Sequence, residues 1–246
     1  MTSDVKLPRA ILFDLDDTIL DYGGGVDEAW RVVCAMYAPA VPCDGPRLQQ
    51  AIREYAEWHW SDPERHRAGR LDLRSARAHI VTEALRTLGH DQPELARQIA
   101  HDYSDARERT IGPFPDALNT LTTLRSRGVA MALVTNGAAG VQRAKIDRWS
   151  LGAYFPSIVI EGEFGVGKPD PRVYRFALGE LGVSPGEAWM VGDNLDWDVA
   201  APQQLGLRGI WNDFRRTGLP PDSAVRPDRI VLSIAELVKD VRHAPY

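Results

Sequence analysis

The chain has 246 residues, 44% of them hydrophobic, with a formal net charge of −5 and a pI near 5.7. This length suits one large domain or a core carrying an inserted module, and the acidic balance argues against a general nucleic-acid binder. No run of eighteen apolar residues offers a membrane span, and the opening "MTSDVKLPRA" lacks the shape of an export signal; Cys34 and Cys43, without CxxC spacing, are expected to stay reduced in a cytoplasmic protein.

In chain order, "RAILFD" (9–14) reads as a strand apolar on both faces, as in a buried parallel sheet. "GGG" (23–25) reads as a flexible joint. After it come only helical periods: Leu48, Ile52 and Tyr55, then Ile80, Ala84 and Leu88, then a polar helix near 93–109. "IGPFPD" (111–116) is a second joint. Residues 115–127 place Leu118, Leu121 and Leu124 on one helical face. "GVAMALVTNG" (128–137) repeats the strand-then-polar shape, followed by a helix over 139–150. "SIVIEGE" (157–163) is a strand, 171–181 a helix ending at Gly182, and "EAWMVGDN" (187–194) and "LRGIWND" (207–213) are further strands. A last short strand and helix follow the Pro-rich loop 220–229. Strands alternating with helices imply an α/β fold with a doubly wound, Rossmann-like parallel sheet. Residues 1–22 and 111–246 would form this core. Residues 23–110 would form an all-helical cap, read as a lid. Ligands of such sheets bind beyond the carboxyl ends of the strands, so the polar clusters after 13, 134 and 192 should converge.

Four carboxylates, Asp14, Asp16, Asp17 and Asp21, fall within eight residues behind the first strand. Packed carboxylates repel unless a cation sits among them. Asp14, Asp16, Asp193 and Asp198 offer hard oxygen ligands with no Cys or His nearby, which suits Mg²⁺. In an extended segment Asp14 and Asp16 point to one side. One of them can attack phosphorus, and the other can protonate the leaving oxygen and later activate water. Asp17 and Asp21 are expected in solvent or a turn, and Asp196 in solvent or capping the next helix.

"DLDDT" (14–18), "TNG" (135–137), Lys168 in "GVGKPDP" and "GDNLDWD" (192–198) resemble, in order and separation, the four motifs of haloacid dehalogenase-like (HAD) phosphatases. The helical insert after the first motif resembles that family's first cap type, and the likeness covers about residues 8 to 240. "GDxxxxD" and the segment "EWHW…AGRLDLRSARAHI" resemble the nucleotidase and N-acylneuraminate-phosphatase-like branch. The resemblance implies Asp14 as nucleophile and Mg²⁺ ligand. It implies Asp16 as general acid/base, with its backbone carbonyl on the metal. Thr135, Asn136 and Gly137 would cradle phosphate, and Lys168 would neutralise nucleophile and phosphoryl charge. Asp193 would be the third protein metal ligand, and Asp198 the acid supporting Lys168 and metal-bound water.

The implied activity is a Mg²⁺-dependent phosphomonoesterase acting on a small metabolite, a sugar phosphate, nucleoside monophosphate or related ester, through an aspartyl phosphate. A phosphotransferase or phosphomutase on the same fold stays open. A metal-independent 2-haloacid dehalogenase would not require an acid at 16 or a carboxylate pair at 193 and 198. No polymer or membrane partner is implied, and the chain is expected as monomer or homodimer. In the cap, Arg65, Arg67, Arg70, Arg74 and Arg77 form either a solvated face or a contact to the substrate body, for which Arg67 and Arg70 are the named candidates. Tyr55, Trp58 and Trp60 read first as cap core. Lysines are rare, four of the 29 basic residues, so Lys168 marks a place where a compact ammonium suits better than a planar fork.

Overall fold

A computed structural model describes residues 7–239 of the chain; the first six residues, Lys6 among them, and the last seven lie outside it. The described chain divides into two units, one holding residues up to Asp21 and from Gly112 onward, the other Tyr22–Ile111.

The first unit is built on a parallel sheet. The strand β1 (Ala10–Phe13) is wholly buried, which only a central strand covered on both faces can be. A two-residue strand β2 (Leu20–Asp21) follows before the chain enters the second unit. That unit comprises α1 (Val26–Tyr37), α2 (Gly45–Ser61), α3 (Pro63–Leu71), α4 (Leu73–Thr87) and α5 (Pro93–Thr110). On return, β3 (Gly112–Pro113) pairs antiparallel with β2, Asp21 opposite Gly112. Then come α6 (Ala117–Ser126), β4 (Ala130–Thr135), α7 (Ala139–Arg148), β5 (Ser157–Ile160), the one-turn α8 (Glu161–Phe164) and α9 (Pro171–Leu181). The chain continues through β6 (Ala188–Gly192), α10 (Ala201–Gln204), β7 (Arg208–Asn212), β8 (Arg229–Val231) and α11 (Glu236–Lys239).

The sheet order is β5-β4-β1-β6-β7-β8, with all pairings parallel. Connections leaving β1 run one way through β4 and β5; those from β6 run the other way. The order therefore reverses at the β1/β6 boundary, where an open α/β sheet has its crevice. Ala10, Leu12, Ala132, Val134, Val159 and Met190 form one apolar layer with Val173, Tyr174, Ala177 and Leu178 of α9. That helix begins at Asp170, whose side chain accepts from the Arg172 N–H, continues with Pro171 in its first turn, and stops at Gly182 in the left-handed region, φ +63°. The buried face of α6 is Ala117, Thr120, Leu121 and Leu124, with Leu118 only half-buried. The helix is thus rotated slightly from the expected Leu118-Leu121-Leu124 stripe.

The second unit has its own core. Val33, Cys34, Leu48, Ile52, Ile80, Val81, Ala84, Leu85 and Ile99 are buried together, with Tyr55 and Trp60 packed against them. Trp30 stacks on Tyr103 with centroids 3.6 Å apart. Three of its helices, α2, α3 and α4, start in one way: Asp44, Asp62 and Asp72 each accept the backbone N–H three residues on, which satisfies a first-turn donor. Cys34 and Cys43 are both free thiols, and burial pushes the Cys34 thiol up to about 12. Trp58 is not core; it is exposed, with the Arg65 guanidinium 3.9 Å above its ring. No helix among the described residues is long and apolar enough to cross a membrane.

Candidate active site

Three neighbouring strands deliver the polar clusters to one edge. Asp14 follows β1, and its N–H still bonds the Val191 carbonyl of β6 at 2.9 Å, so the backbone is fixed by the sheet ladder. Thr135 ends β4. Asp193 follows β6, whose last residue, Gly192, lies so close to Asp198 that a Cβ there would sit 2.2 Å from its carboxyl carbon. Asp198 itself lies on a π-helical turn (Leu195–Ala200) opened by Asn194, whose side chain accepts from the N–H groups of Asp196 and Trp197. Asn194, then, is the cap of this turn, and Asp196 points to solvent.

Lys168 is the hub. It is 1% exposed, and its Nζ lies 2.6 Å from Asp14 Oδ1 and 2.6 Å from Asp198 Oδ1. Oδ2 of Asp198 accepts the Asn194 N–H at 3.1 Å, and Oδ2 of Asp14 accepts from the Thr18 hydroxyl at 3.3 Å. Burial opposes the charge on Lys168, but Asp14 and Asp198 outweigh it and hold the ammonium above its ordinary value. A single ammonium serves two carboxylates here with a third beside them, because oxygens of Asp14, Asp193 and Asp198 lie within 4.8 Å of one another. The consequence is uneven. Burial, and repulsion from Asp198, push the Asp14 carboxyl up to about 7 against the pull of Lys168. Burial and the repulsion of Asp14 and Asp198 push Asp193 up to about 8. A cluster of hard oxygens short of positive charge fits a hard divalent cation.

The Asp16 carboxylate lies apart from those three and turns to α7. Nζ of Lys145 lies 2.7 Å from its Oδ1 and 2.6 Å from its Oδ2. Nε2 of Gln142 donates to Asp16 Oδ2 at 3.0 Å and to Thr135 Oγ1 at 2.6 Å. Asn136 clasps the Lys168 backbone from both sides: its amide donates to the Lys168 carbonyl at 2.8 Å, and its Oδ1 accepts the Lys168 N–H at 2.7 Å. The N–H of Gly137, at φ +123°, donates to Oε2 of the buried Glu161 at 3.0 Å. Gly167 closes this loop cluster; a Cβ there would lie 2.5 Å from Asn136 Oδ1.

Asp14, Lys168, Asp193 and Asp198 thus meet, and Thr135 and Asp16 meet through Gln142. Asp17 takes a turn conformation, φ +59°, with its carboxylate 3.3 Å from Arg215. Arg67 and Arg70 belong to the second unit, on α3: Arg67 is exposed, and Arg70 Nη1 lies 3.1 Å from His66 Nδ1. Lys145, Gln142 and Glu161 are site neighbours that the motifs did not name. Their available signals are the scarcity of lysine and the i, i+3 placement of Gln142 and Lys145 on one helix face.

The family model of haloacid dehalogenase-like hydrolases matches residues 8–206. A phosphoserine phosphatase of Thermus thermophilus is 41% identical over 162 residues, 65% of this chain and 63% of that protein, so the match spans less than two thirds of its length. A glyceraldehyde 3-phosphate phosphatase of Methanopyrus kandleri is 32% identical over 94% of this chain and 99% of its own. An N-acylneuraminate-9-phosphatase of Rattus norvegicus is 28% identical over 93% and 92%. Among solved structures, the magnesium-bound HAD-hydrolase YfnB of Bacillus subtilis matches with a TM-score of 0.71 at 20% identity, covering 94% of this chain and 97% of that one, a likeness of fold.

Proposed function

The chain belongs to the haloacid dehalogenase-like hydrolases, and we propose that it is a Mg²⁺-dependent phosphomonoesterase working through an aspartyl phosphate on Asp14. The observation that carries this reading is the buried Asp14–Lys168–Asp198 bridge with Asp193 beside it, at the sheet's switch point. Asp14, Asp193 and the backbone carbonyl of Asp16 would hold Mg²⁺, with Asp198 supporting them. When bound, the ion supplies the positive charge that this carboxylate cluster lacks and that a phosphoryl group needs.

The chain's own residues do the rest. Lys168 holds one oxygen of Asp14, fixing the carboxylate for attack on phosphorus and offsetting charge there. Thr135 and the backbone at Asn136 receive the phosphoryl oxygens; Gly137, its N–H taken by Glu161, serves through the shape of the loop. Asp16 gives a proton to the leaving oxygen and later takes one from the water that cleaves the acyl phosphate. Residues 23–110 act as the cap that excludes water and reads the rest of the substrate. The relatives named for phosphoserine, glyceraldehyde 3-phosphate and N-acylneuraminate 9-phosphate support a small phosphate monoester as substrate. Free Cys34 and Cys43 suit a reducing, cytoplasmic setting.

The test is a panel of phosphorylated metabolites and p-nitrophenyl phosphate, scored for phosphate, alongside 2-chloropropionate, scored for chloride. Phosphate release is expected and chloride release is not; the reverse pattern would overturn the assignment.

Asp16→Asn should slow alkyl phosphates by about 10² to 10⁴-fold and p-nitrophenyl phosphate much less, because nitrophenolate leaves without a proton. Equal losses on both would remove Asp16 from the acid role. Arg67→Ala or Arg70→Ala should raise KM about tenfold for the best metabolite of the panel, the loss of a charge-assisted bond. KM for p-nitrophenyl phosphate should stay put. No KM change on either substrate would return these arginines to a solvated face.

A further inference from the structure

We propose that Lys145, together with Gln142, is a positioning residue for Asp16, and that the two tie the acid/base to the phosphate-binding Thr135 as one unit. The inference rests on the acid/base reading of Asp16 given above.

Both described lysines that are buried in the sheet unit are spent on motif carboxylates. Lys168 takes Asp14, and Lys145, 8% exposed, takes both oxygens of Asp16. Drawing an ammonium and a carboxylate partly out of water is costly, and such a part-buried pair is weak as a stabilising device. An anchor for α7 alone would be served as well by apolar contacts. The partners chosen here are instead two groups with assigned work. Gln142 uses both hydrogens of one amide nitrogen, one on Asp16 and one on Thr135. Gln142 and Lys145 lie one helical turn apart, so a single rigid face of α7 sets both contacts.

The geometry also leaves room for the reaction. A carboxylate turns easily about its last torsion, whose energy profile is broad. Here the plane is fixed by Lys145 from both oxygens and by Gln142 on Oδ2. Among the described residues Oδ1 then has one bond, to Lys145, and keeps an acceptor direction open. The side chain of Asp16 is 25% exposed against 10% for Lys145, so the open direction belongs to the carboxylate. A misplacement of about 1 Å in such a group costs on the order of 10²-fold in rate.

The experiment compares Lys145→Met and Gln142→Leu with the parent enzyme in saturating Mg²⁺, on an alkyl phosphate and on p-nitrophenyl phosphate. Lys145→Met is expected to lower kcat on the alkyl ester about 100-fold, to lower it about tenfold less on the aryl ester, and to leave KM within about threefold on both. Gln142→Leu should show the same pattern at smaller size. Lys145→Cys treated with 2-bromoethylamine regains an ammonium at lysine length and should recover most of the alkyl-ester rate; treated parent enzyme controls for Cys34 and Cys43. In an Asp16→Asn background, Lys145→Met should add nothing to the leaving-group sensitivity, because the two act as a unit. Equal losses on both esters, a loss confined to KM or to Tm, a gain in kcat, or failure of the aminoethylated protein to recover would each overturn the proposal. If Lys145→Met does not fold, Gln142→Leu and the aminoethylated variant decide. Asp16→Asn separates the two levels. If it is insensitive to the leaving group, the acid/base reading itself has failed. If it is sensitive and Lys145→Met is not, only the positioning role is lost.

Discussion

Asp14→Asn is expected to lower kcat by at least about 10⁴-fold while the protein folds and binds a phosphate ester. The amide keeps the shape of the carboxylate, and its oxygen still accepts from Lys168, whose second acceptor, Asp198 Oδ1, is untouched. What disappears is the nucleophile, because a neutral amide oxygen does not form an acyl phosphate. The substitution also removes one of three mutually repelling carboxylates, so Tm should hold or rise. Phosphate release, ligand binding by calorimetry and a melting curve together check this. A residual kcat above about a tenth of the parent value would move the covalent step off Asp14.

Chelation is the second large effect. Exhaustive EDTA treatment should abolish hydrolysis of p-nitrophenyl phosphate, and added Mg²⁺ should restore it; full activity after chelation would end the metal assignment. The metal should also stabilise the fold, and the pH dependence has a definite sign. Without metal, Asp14 and Asp193 have native values near 7 and 8, above their ordinary value of 3.8. Between these limits the native state holds protons that the unfolded chain has released. Stability of the metal-free protein therefore falls as pH rises from about 4 to about 8. Mg²⁺ supplies the missing positive charge, so its stabilisation is small at pH 5.5 and fully developed above pH 8. At a hundred times its Kd it should add about 2.7 kcal/mol, roughly 5 to 10 °C in Tm for a chain of this size. A Tm gain that shrinks with rising pH would contradict this account.

How much the sequence revealed varies with how local the cause is. The strands at 10–13, 130–135 and 188–192 were legible because a parallel strand buried on both faces is a plain apolar run. The ends of α9 were legible from Asp170-Pro171 and Gly182. By contrast, α1 opens at Gly25 with no side-chain cap and buries only Ala29, Val33 and Cys34, so its pattern is faint behind three glycines. In α3 only Gly69 is buried, leaving no apolar stripe to read. The strands β2 and β3 are two residues each, one containing Pro113, too short for any period. In the site, residue types carrying their own chemistry stood out: Asp14, Lys168 and Asp193. Lys145 did not, because the scarcity of lysine alone names no partner until the fold brings Asp16 to it from 129 positions away.

The pairing of Asp21 with Gly112 bears on how such a chain folds at all. The first strand must find Ala130 across the entire 22–111 segment, and closing a longer loop loses more chain entropy. The cost grows only with the logarithm of length, about 0.6 kcal/mol per doubling. Once Asp21 and Gly112 are joined, the segment between them no longer counts toward the span. The effective loop for pairing the first strand with Ala130 then shrinks roughly fourfold, which lowers the cost of that second closure by about 1.2 kcal/mol, the first closure having its own cost. The long insertion is thereby converted into a side branch, and the sheet assembles as if its first two central strands were near neighbours in the chain.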